Sequence, residues 1–542
     1  MSTRTLLINT PYPFTECPTI PLGLTYLAAV LEDRGFDVDI LDMVVYKFSR
    51  EKIIEKIREY KPDIVGAGSV TMNYPHAKRI LQIAKSEGAT TIIGGPHATF
   101  ADREVLSEAP WIDMVVRREG EYTLLDIVRG RDLKDVKGIT YREDGEIVRN
   151  PDRELLMNLD ELPFPARHLI PLSKYIAYKT GCSMVTGRGC PNRCIFCVGP
   201  KMTSRKMRFR NPKLCVDEME EILNYGFEEI IVEDDTFTIN KNHVFSICDE
   251  IISRGLKFKW SANARVNTVT KEMLEKMYEA GCIFIQFGVE SGNPEILKTC
   301  KKGITLEQVR KATQIAKEVG IGVLSSFIIG LPGETKETIR ETMEFAKSLG
   351  TYYGYHVLAP FPGTEVRERA DELGVKILTN NWLRYDANRA VTETEGVSAE
   401  YMNKIVRDFY KGVTKYVKNQ VKAEEAGTAS EADLKDVAIR RRRSLAWHLL
   451  KNDLIETYGK FKDEAENPVK RLADNLYSYR GIQSNFTKQY IEKEIAQMVK
   501  EKLLTYKNEN GIIVWQWKMP EKPEKQKQKK NQPFPQKHPH LK

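Results

Sequence analysis

The sequence has no apolar run long enough to cross a membrane, no pattern typical of a secretory signal peptide and no internal repeat of fixed period. Its nine cysteines are an odd number. These features do not favour a secreted domain held together by disulfide bonds. They predict a protein of the reducing cytoplasm that has no transmembrane segment.

The chain also lacks a strong excess of charge of one sign. Its 83 Lys and Arg against 75 Asp and Glu leave a net charge of +8, which is modest for 542 residues. The positive charge is concentrated late, in residues 440–443 and after Lys518, so a nucleic-acid partner is not predicted. The four arginines at 440–443 favour a solvated helix face. The functional alternative is that they bind an anionic substrate, a lipid headgroup or a partner protein.

Three cysteines lie in one short run, GRGCPNRCIFC at residues 187–197. Thiolates at this spacing, from Cys190, Cys194 and Cys197, can bind three irons of a 4Fe–4S cube, whereas clusters normally have four cysteine ligands. No fourth cysteine completes the run. The pattern therefore indicates one iron that is open to a further ligand, for which we expect a substrate.

A structural zinc site or three buried thiols is the alternative interpretation of this run. Zinc sites usually have a fourth Cys or His at short spacing, but His168 lies upstream and His243 falls in a later helix. Cys182 and Cys215 are the remaining candidates for a fourth ligand. We interpret both as core residues, because a buried free cysteine behaves as a small hydrophobic side chain.

Length predicts roughly three structural units, and strands alternate with helices over the first of them, residues 1–150. This alternation predicts a doubly wound, flavodoxin- or Rossmann-like parallel sheet, with its ligand beyond the carboxyl ends of the strands. We expect strands at 5–9, 36–41, 64–68, 91–94 and 114–116, and helices at 22–34, 49–60 and 77–87. The residues gathered at the strand ends are Asn9, Thr10, Gly68, Ser69, Val70, Gly94, Gly95 and His97.

A linker at 151–181 precedes a second α/β unit at 182–395. Six strands, at 183–186, 229–232, 259–264, 284–289, 323–329 and 354–358, predict a partial (β/α)6 barrel with its reactive groups at the carboxyl ends of the strands. The residues at those ends are Glu233, Asp234, Asp235, Arg265, Glu290, Ser291, Gly330 and Gly333. Acidic residues after strands also cap the following helices, and for Asp235 both interpretations stay open.

The remainder of the chain is predicted to be a mostly helical module at 396–517 and a disordered Lys/Pro-rich tail at 518–542. We expect helical regions at 399–418, 434–450, 452–479 and 487–506, a solvated connection at 421–433 and one strand at 511–517. Helices that end in a strand are compatible with a small winged-helix-like or purely helical module.

The cysteine run, with Phe196 before its last cysteine, resembles the signature of the radical S-adenosylmethionine (SAM) family. This resemblance implies a 4Fe–4S cluster whose open iron chelates SAM and cleaves it reductively to a 5′-deoxyadenosyl radical. It also implies that the barrel-end residues bind SAM. Glu233, Asp234 and Asp235 would receive its ammonium group and Arg265 its carboxylate, while Glu290 and Ser291 would lie near the ribose. Gly330 and Gly333 would lie near the adenine. Phe196 is also expected among the residues that bind SAM.

The first domain resembles the cobalamin-binding domain of many members of that family. The matching segments are PLGLTYL at 21–27, GGPHAT at 94–99 and REGE at 118–121. The resemblance adds Leu22, Gly23 and Glu119 to the expected cobalamin contacts. The Asp-x-His-x-x-Gly motif, whose histidine binds cobalt, is absent. We therefore expect cobalt without a protein histidine ligand, and His97 to contact the tail of the cofactor or to cap the next helix.

These resemblances imply a cobalamin-dependent radical SAM enzyme that modifies an unactivated carbon, with C-methylation as the favoured reaction. An oxidative or ring-forming reaction, like that of the anaerobic magnesium-protoporphyrin monomethyl ester cyclase, is the alternative. A non-catalytic cobalamin or redox sensor is the alternative of another class. The expected partners are a small-molecule, lipid or peptide substrate and an electron donor such as flavodoxin or ferredoxin.

Overall fold

Parallel strands with continuous apolar runs form the core of the first domain in the computed structural model, which describes residues 3–12, 18–463 and 467–521. Leu6, Leu7 and Ile8 of the first strand are all buried, as expected for a sheet covered on both faces. The seven strands are β1 (Arg4–Asn9), β2 (Asp37–Asp42), β3 (Ile64–Gly68), β4 (Thr90–Gly94), β5 (Met114–Val116), β6 (Ile139–Glu143) and β7 (Glu146–Arg149).

The order of the strands in this sheet is β2-β1-β3-β4-β5-β6-β7. The first five strands are parallel, as predicted, and the hairpin of β6 and β7 extends the sheet in the antiparallel sense. The chain order reverses between β1 and β3, which is the position where sheets of this order bind their ligands. The helices are α1 (Leu22–Asp33), α2 (Arg50–Tyr60), α3 (Tyr74–Ser86), α4 (Pro96–Phe100), α5 (Asp102–Glu108) and α6 (Glu121–Val128).

The second domain is a six-stranded parallel sheet with two open edges, which confirms the predicted partial barrel. Its strands are β8 (Cys182–Met184), β11 (Glu229–Val232), β12 (Lys259–Ala264), β13 (Cys282–Glu290), β14 (Gly322–Ile329) and β15 (Tyr352–Val357), in that spatial order. Two short antiparallel pairs flank it, β9 (Gly187–Arg188) with β10 (Arg208–Phe209), and β16 (Val375–Ile377) with β17 (Thr392–Thr394).

Helices follow the barrel strands and cover the outer face of the sheet. A short helix of the linker, α7 (Leu172–Ala177), comes first. The others are α8 (Gly199–Thr203), α9 (Pro212–Asn224), α10 (Lys241–Ser253), α11 (Lys271–Glu279), α12 (Pro294–Thr299), α13 (Leu306–Val319), α14 (Lys336–Ser348) and α15 (Glu365–Glu368).

In the described residues the C-terminal part has six helices and three strands, and its later elements follow the order of a winged helix. Its elements are α16 (Ala399–Glu425), α17 (Glu431–Lys451), α18 (Leu454–Tyr458), β18 (Lys460–Lys462), α19 (Pro468–Tyr477), α20 (Arg480–Gln483), α21 (Lys488–Lys500), β19 (Leu504–Glu509) and β20 (Ile512–Trp517). The sheet order is β18-β20-β19, and both pairs are antiparallel.

Three expectations for this part were wrong. The region 421–433 is not a solvated connection, because α16 continues to Glu425. The helix expected at 487–506 ends at Lys500, and its last residues belong to β19, which pairs with β20. The region 452–479 is not one helical stretch, because β18 interrupts it. Residues 522–542, most of the tail expected to be disordered, lie outside the described residues.

The four arginines of α17 form a solvated face only in part: the side chains of Arg440 and Arg441 are 39% exposed, whereas the next two contact the linker. Arg442 is 5 % exposed and forms ion pairs with Glu494 and Glu501, while its Nε donates to the carbonyl of Ala177 in α7. Arg443 donates to another linker carbonyl, that of Lys179. These arginines therefore attach the C-terminal module to the linker. None of the helices in the described ranges combines the length and the apolar character that a membrane-spanning helix needs.

Candidate active site

The three cysteines of the CxxxCxxC run lie in the loop that follows β9, at the base of which β9 pairs with β10. Gly189 has a φ of 113°, and a Cβ there would lie 2.5 Å from the carbonyl oxygen of Lys206. Only glycine fits this close approach without strain. The amide of Cys190 then donates to the carbonyl of Ser204 at 3.0 Å, which fixes the start of the loop.

The cysteine sulfurs have hydrogen-bond donors around them. Asn192 Nδ2 donates to Cys190 Sγ at 3.2 Å, and the amide of Gly199 donates to Cys197 Sγ at 3.3 Å. Desolvation by the surrounding loop raises the pKa of Cys197 to about 11, so iron binding must displace its proton. Donors aimed at sulfur stabilise bound thiolates, and the loop fits three cysteine ligands of a cluster.

No other cysteine or histidine joins the three in this loop. Cys182 and Cys215 are fully buried, as predicted, and Cys300 is also buried, behind the loop residue Ile195. His168 pairs with Glu32, and His243 contacts Thr186. Within the described ranges, no three His, Cys, Asp or Glu side chains converge on a single ion position. A cube distributes its ligands over separate irons, so the cysteines of a cluster need not converge on one point.

Glu233, Asp234 and Asp235 follow β11 but point in different directions. Asp234 is 3 % exposed and accepts from Thr186 N at 2.7 Å, Thr186 Oγ1 at 2.6 Å and Gly187 N at 3.2 Å. Burial raises its pKa to about 6 despite these donors. Asp234 thus supports the base of the cysteine loop, while Glu233 and Asp235 are exposed at the rim.

Asp235 lies beside the cysteine loop. Its Oδ2 accepts from Thr203 Oγ1 at 3.1 Å, and a Cβ at Gly199 would be 3.3 Å from its Oδ1 and 3.4 Å from Cys197 Sγ. It does not cap a helix in the described residues: α10 is capped by Asn240. The alternative interpretation of Asp235 as a helix cap is therefore wrong.

Arg265 lies against Cys194 at the end of β12. It is 7 % exposed, its Nη1 is 3.9 Å from Cys194 Sγ, and its Nη2 donates to the carbonyl of Lys302. Lys302, which sequence reasoning missed, forms an ion pair of 2.6 Å with Glu290. Glu290 has a φ of 73°, a strained value for a residue with a side chain. Such strain at a strand end is typical of binding sites.

Ser291, Gly330 and Gly333 lie in turns, and none of them places a side chain at the rim. Ser291 is fully buried and hydrogen-bonded to Thr342 at 3.1 Å. Gly330 and Gly333 have φ values of 91° and 83°. Phe196 packs in a small apolar cluster with Leu331 and Leu358, next to this turn.

Glu334 is a further residue at this turn that sequence reasoning missed. Its Oε2 accepts from the amides of Gly330 at 2.6 Å and Leu331 at 3.1 Å, and it is 1 % exposed. Burial raises its pKa to about 8. The sequence signal for this role is the spacing: a carboxylate four residues after Gly330 can accept hydrogen bonds from the backbone amides of the same turn.

The crevice of the first domain is organised by hydrogen bonds between the ends of β1, β3 and β4. The amide of Ser69 donates to the carbonyl of Gly94 at 2.9 Å, and Asn73 Nδ2 donates to the carbonyl of Thr10 at 3.1 Å. Asn9 Nδ2 donates to Asp42 Oδ1 at 2.7 Å. The predicted residues at these strand ends are therefore neighbours, and Asp42 and Asn73 are additions to them.

Gly95 allows two of these loops to touch. Its φ is 96°, and a Cβ would lie 2.4 Å from the carbonyl oxygen of Ser69. The amide of His97 donates to the same oxygen at 3.3 Å. Two buried polar atoms at this crevice, Thr10 Oγ1 and His97 Nδ1, have no partner in the described part of the chain. Glycine-lined loops with unsatisfied polar atoms fit a bulky ligand that has hydrogen-bonding groups of its own.

His97 is enclosed by aromatic rings from both domains. It stacks on Tyr74, with ring centroids 4.2 Å apart, and meets the edge of Trp382 at 5.0 Å. Burial lowers the pKa of His97 to about 3, so it is neutral at physiological pH. Trp382 belongs to the segment between β16 and β17, and the second domain thus covers one side of the crevice.

Glu119 lies where the first domain meets the cysteine loop. Both oxygens of Glu119 accept from Arg208, at 2.7 and 2.8 Å, and the neighbouring Glu121 pairs with Arg188 at 2.7 Å. A cobalamin contact by Glu119 stays a prediction, because its carboxylate already has two charged partners. Leu22 and Gly23 begin α1.

Comparison with known proteins gives two family matches. Residues 184–346 match the radical SAM superfamily, and residues 16–128 match the B12 binding domain. An uncharacterised methyltransferase from Pyrococcus horikoshii is 37% identical over 399 residues, covering 72% of this chain and 86% of the relative. The anaerobic magnesium-protoporphyrin IX monomethyl ester cyclase of Rubrivivax gelatinosus is 32% identical, covering 72% of this chain and 73% of the relative.

A solved structure has the same fold over most of the chain. The cobalamin-dependent S-adenosylmethionine radical enzyme OxsB, with aqua-cobalamin bound, is 20% identical and has a TM-score of 0.65, covering 92% of this chain and 80% of that one. The radical SAM match identifies a 4Fe–4S cluster and SAM as cofactors of the barrel, and the B12 match identifies cobalamin as that of the first domain. The chain belongs to the cobalamin-binding radical SAM family.

Proposed function

We propose that this enzyme transfers a methyl group to an unactivated carbon of its substrate. The observation that supports the proposal is the contact between the first domain and the cysteine loop. Glu119 and Glu121 of the first domain pair with Arg208 and Arg188, which frame the cysteine loop. At the same interface, Arg118 Nε donates to the carbonyl of Met202 at 3.3 Å. A cobalamin domain held against the cluster loop suits a reaction that uses both cofactors on one substrate.

When bound, the cluster supplies the electron that cleaves SAM to a 5′-deoxyadenosyl radical, and cobalamin supplies the methyl group. Cys190, Cys194 and Cys197 would hold the cluster. The exposed Glu233 and Asp235 would attract the ammonium of SAM. The buried Arg265 would hold its carboxylate, because charge-assisted hydrogen bonds strengthen away from water. Phe196 and the turn from Gly330 to Gly333 would border the adenine.

We propose that the loops of Asn9, Thr10, Gly68, Ser69, Val70, Gly94, Gly95 and His97 hold cobalamin, without a protein ligand to cobalt. The buried atoms Thr10 Oγ1 and His97 Nδ1 support this placement. The neutral ring of His97 is enclosed by Tyr74 and Trp382, which suits a contact with the tail of the cofactor better than ligation of the metal.

The test uses anaerobically reconstituted enzyme, SAM with a deuterated methyl group and metabolite extracts from a strain that lacks the gene. Methylation predicts a product that carries the label. Release of 5′-deoxyadenosine with a substrate that loses hydrogen and gains no label would instead favour the oxidative or ring-forming reaction. The similarity to the Rubrivivax gelatinosus cyclase supports this alternative. A non-catalytic sensor has no support in the site, since the cysteine loop and the rim residues are both present.

We further propose that a low-potential donor such as flavodoxin or ferredoxin reduces the cluster in the reducing cytoplasm. Cys197, the most exposed of the three cysteines, places one corner of the cluster near the surface. The proposed units are the cobalamin domain at 1–150, the linker at 151–181, the radical domain at 182–395, the C-terminal domain at 396–517 and the tail at 518–542. The substrate would be a small molecule, a lipid or a peptide.

A further inference from the structure

A cavity lined by arginine and asparagine side chains lies between α16 and the segment that joins β16 to β17. Its volume is about 420 Å³, within the range of ligand pockets. Arg384, Asn388 and Arg389 line it from the segment, and Asn403 and Arg407 line it from α16. We call it the arginine cavity. Neither family match extends to these residues, since they end at 128 and 346.

The arginine cavity has an excess of positive charge. Arg389 is neutralised by Asp386, which its Nη2 approaches at 2.5 Å and its Nε at 2.8 Å. The guanidinium groups of Arg384 and Arg407 have no carboxylate partner within the described ranges. Two positive charges are therefore uncompensated in one cavity, an arrangement that favours a bound anion.

The two asparagines add only hydrogen-bond donors. Asn403 Oδ1 accepts from the amide of Ala390 at 2.9 Å, and Asn388 Oδ1 accepts from Tyr410 Oη at 3.2 Å. With both side-chain oxygens occupied, each Nδ2 group is left with its two N–H donors and no protein partner in the described residues. Arginine and amide donors match the oxygens of a phosphate, phosphonate or carboxylate group.

The cavity is anchored to both domains at the end of the barrel that carries the candidate active site. The amide of Val357, the last residue of β15, donates to the carbonyl of Ala387 at 2.7 Å. Trp382, two residues before Arg384, packs against His97 of the cobalamin crevice. A molecule held here therefore lies beside the last strand of the barrel and next to the cobalamin domain.

We propose that the arginine cavity binds an oxyanion group, phosphate, phosphonate or carboxylate, that the substrate carries at a distance from the carbon that reacts. This inference rests on the proposed methyl transfer and narrows its substrate to anionic molecules. Arg384 and Arg407 supply the charge, and Asn388 and Asn403 supply directional donors. Arg389 is held by Asp386 and contributes shape rather than net charge.

The test is a calorimetric titration of the full chain with inorganic phosphate and pyrophosphate, with and without bound cobalamin. The double variant Arg384→Gln/Arg407→Gln should weaken binding of the probe at least tenfold. The matched control is Arg103→Gln, which removes an exposed arginine of α5 that has no carboxylate partner in the described part of the chain. It should bind the probe as the unaltered protein does. A melting curve of each variant excludes misfolding.

Three results of this titration would overturn the proposal. The first is no binding of either probe, and the second is equal loss in the double variant and the control. The third is binding that disappears when cobalamin is loaded, which would assign the cavity to the phosphodiester of the cofactor. Phosphate binding that is lost only in the double variant supports the proposal even if no labelled methyl group is transferred, in which case the proposed reaction alone fails. Methylation of a metabolite without an anionic group would keep the reaction and reject the cavity.

Discussion

At the scale of single residues, the cysteine loop gives the most direct test of the radical centre. Reconstituted protein should bind about four irons at this site. Changing Cys190, Cys194 and Cys197 together to Ala should abolish iron binding and release of 5′-deoxyadenosine from SAM. Cys300→Ala is the control, because Cys300 is buried behind the loop and should leave both intact. Release of 5′-deoxyadenosine by the triple variant would show that the radical centre lies elsewhere.

Arg265 should contribute to SAM binding through its guanidinium group. Arg265→Ala should weaken SAM affinity by about 1 to 3 kcal/mol, the usual scale for losing a hydrogen bond to a charged group. The iron content should stay unchanged. Equilibrium dialysis with labelled SAM measures the first quantity and iron analysis the second. Arg265→Lys, which keeps the charge, should lose less. Unchanged SAM affinity in the Ala variant would remove Arg265 from the binding site.

His97 predicts a pH dependence of stability. Its pKa is about 3 in the folded protein and about 6.5 when exposed. As pH falls below 6.5, the unfolded state takes up a proton that the folded state does not. Stability therefore falls by up to about 1.4 kcal/mol per pH unit until pH approaches 3, and it is fully present above 6.5. Urea unfolding of His97→Phe should show a shallower loss between pH 6 and 4, and an unchanged slope would contradict the assignment.

His97 also distinguishes two ways of holding cobalamin. If no protein group binds cobalt, paramagnetic resonance of the cobalt(II) form should show no nitrogen splitting. His97→Ala should then weaken retention of the cofactor without changing this spectrum. A nitrogen triplet that disappears in the variant would mean that His97 ligates cobalt.

For single residues, the sequence predicts which strand end a side chain follows better than the direction in which the side chain points. Glu233, Asp234 and Asp235 were expected at one rim because they follow one strand. Asp234 turns inward because Thr186 and Gly187, 48 and 47 residues earlier, present three donors to it. The partner of Glu119 is likewise a distant residue, Arg208. Partners so remote in sequence leave no local pattern.

At the scale of elements, a buried ion triad holds α9 against the linker and β10. Glu218 of α9 is fully buried and pairs with Arg167 at 2.6 Å and Arg210 at 2.5 Å. These arginines lower the pKa of Glu218 against the opposing effect of burial. Glu218→Gln should cost about 3 to 5 kcal/mol of stability, because two buried cations lose their counter-charge.

Thermal and urea unfolding would measure this loss. Glu220→Gln on the same helix is the matched control, since Glu220 pairs with Arg254 and its side chain is 37% exposed. The control should change stability by less than about 1 kcal/mol. Equal effects of the two substitutions would contradict a structural role for the triad.

The parallel strands of both large sheets could be predicted because their apolar runs are bounded by turns. β6 and β7 of the first sheet and β18 and β19 of the C-terminal module were not predicted. Lys460–Lys462 is mostly charged, and Leu504–Glu509 is polar and largely exposed after its first residue. Their strand conformation depends on pairing with β20. The partner of β18 lies far along the chain. β19 and β20, in contrast, are joined by the two-residue turn Asn510–Gly511, a hairpin signal that the helix predicted at 487–506 disregards.

At the scale of the whole molecule, Lys174 joins three parts. It lies in the linker helix α7 with a fully buried side chain, donates to the carbonyl of Val45 at 3.1 Å and pairs with Glu456 of α18 at 2.9 Å. Its ammonium also lies 3.4 Å from the ring centre of Tyr46. Burial lowers its pKa. The cobalamin domain, the linker and the C-terminal module therefore share one contact.

Lys174→Ala should destabilise the protein by about 2 to 4 kcal/mol through lost packing and cation–π contact. It should also separate unfolding of the C-terminal module from that of the rest. Fluorescence of Trp517, whose ring centre is 5.7 Å from this ammonium, reports on the module, and circular dichroism reports on the whole. Lys134→Ala is the control, because Lys134 is exposed in the first domain and its ammonium pairs with the nearby Asp132. Coincident transitions in the Lys174 variant would contradict this coupling.

The contact between Trp382 and His97 has a consequence for the order in which the protein is made. The ribosome completes the strands around His97 long before it reaches Trp382, which comes 285 residues later in the sequence. At 5 to 20 residues per second the interval is roughly 15 to 60 s. During that time the nascent first domain presents its ligand crevice without its aromatic cover. Closure of the crevice is thus a separate event from folding of the first domain, and it awaits synthesis of the barrel.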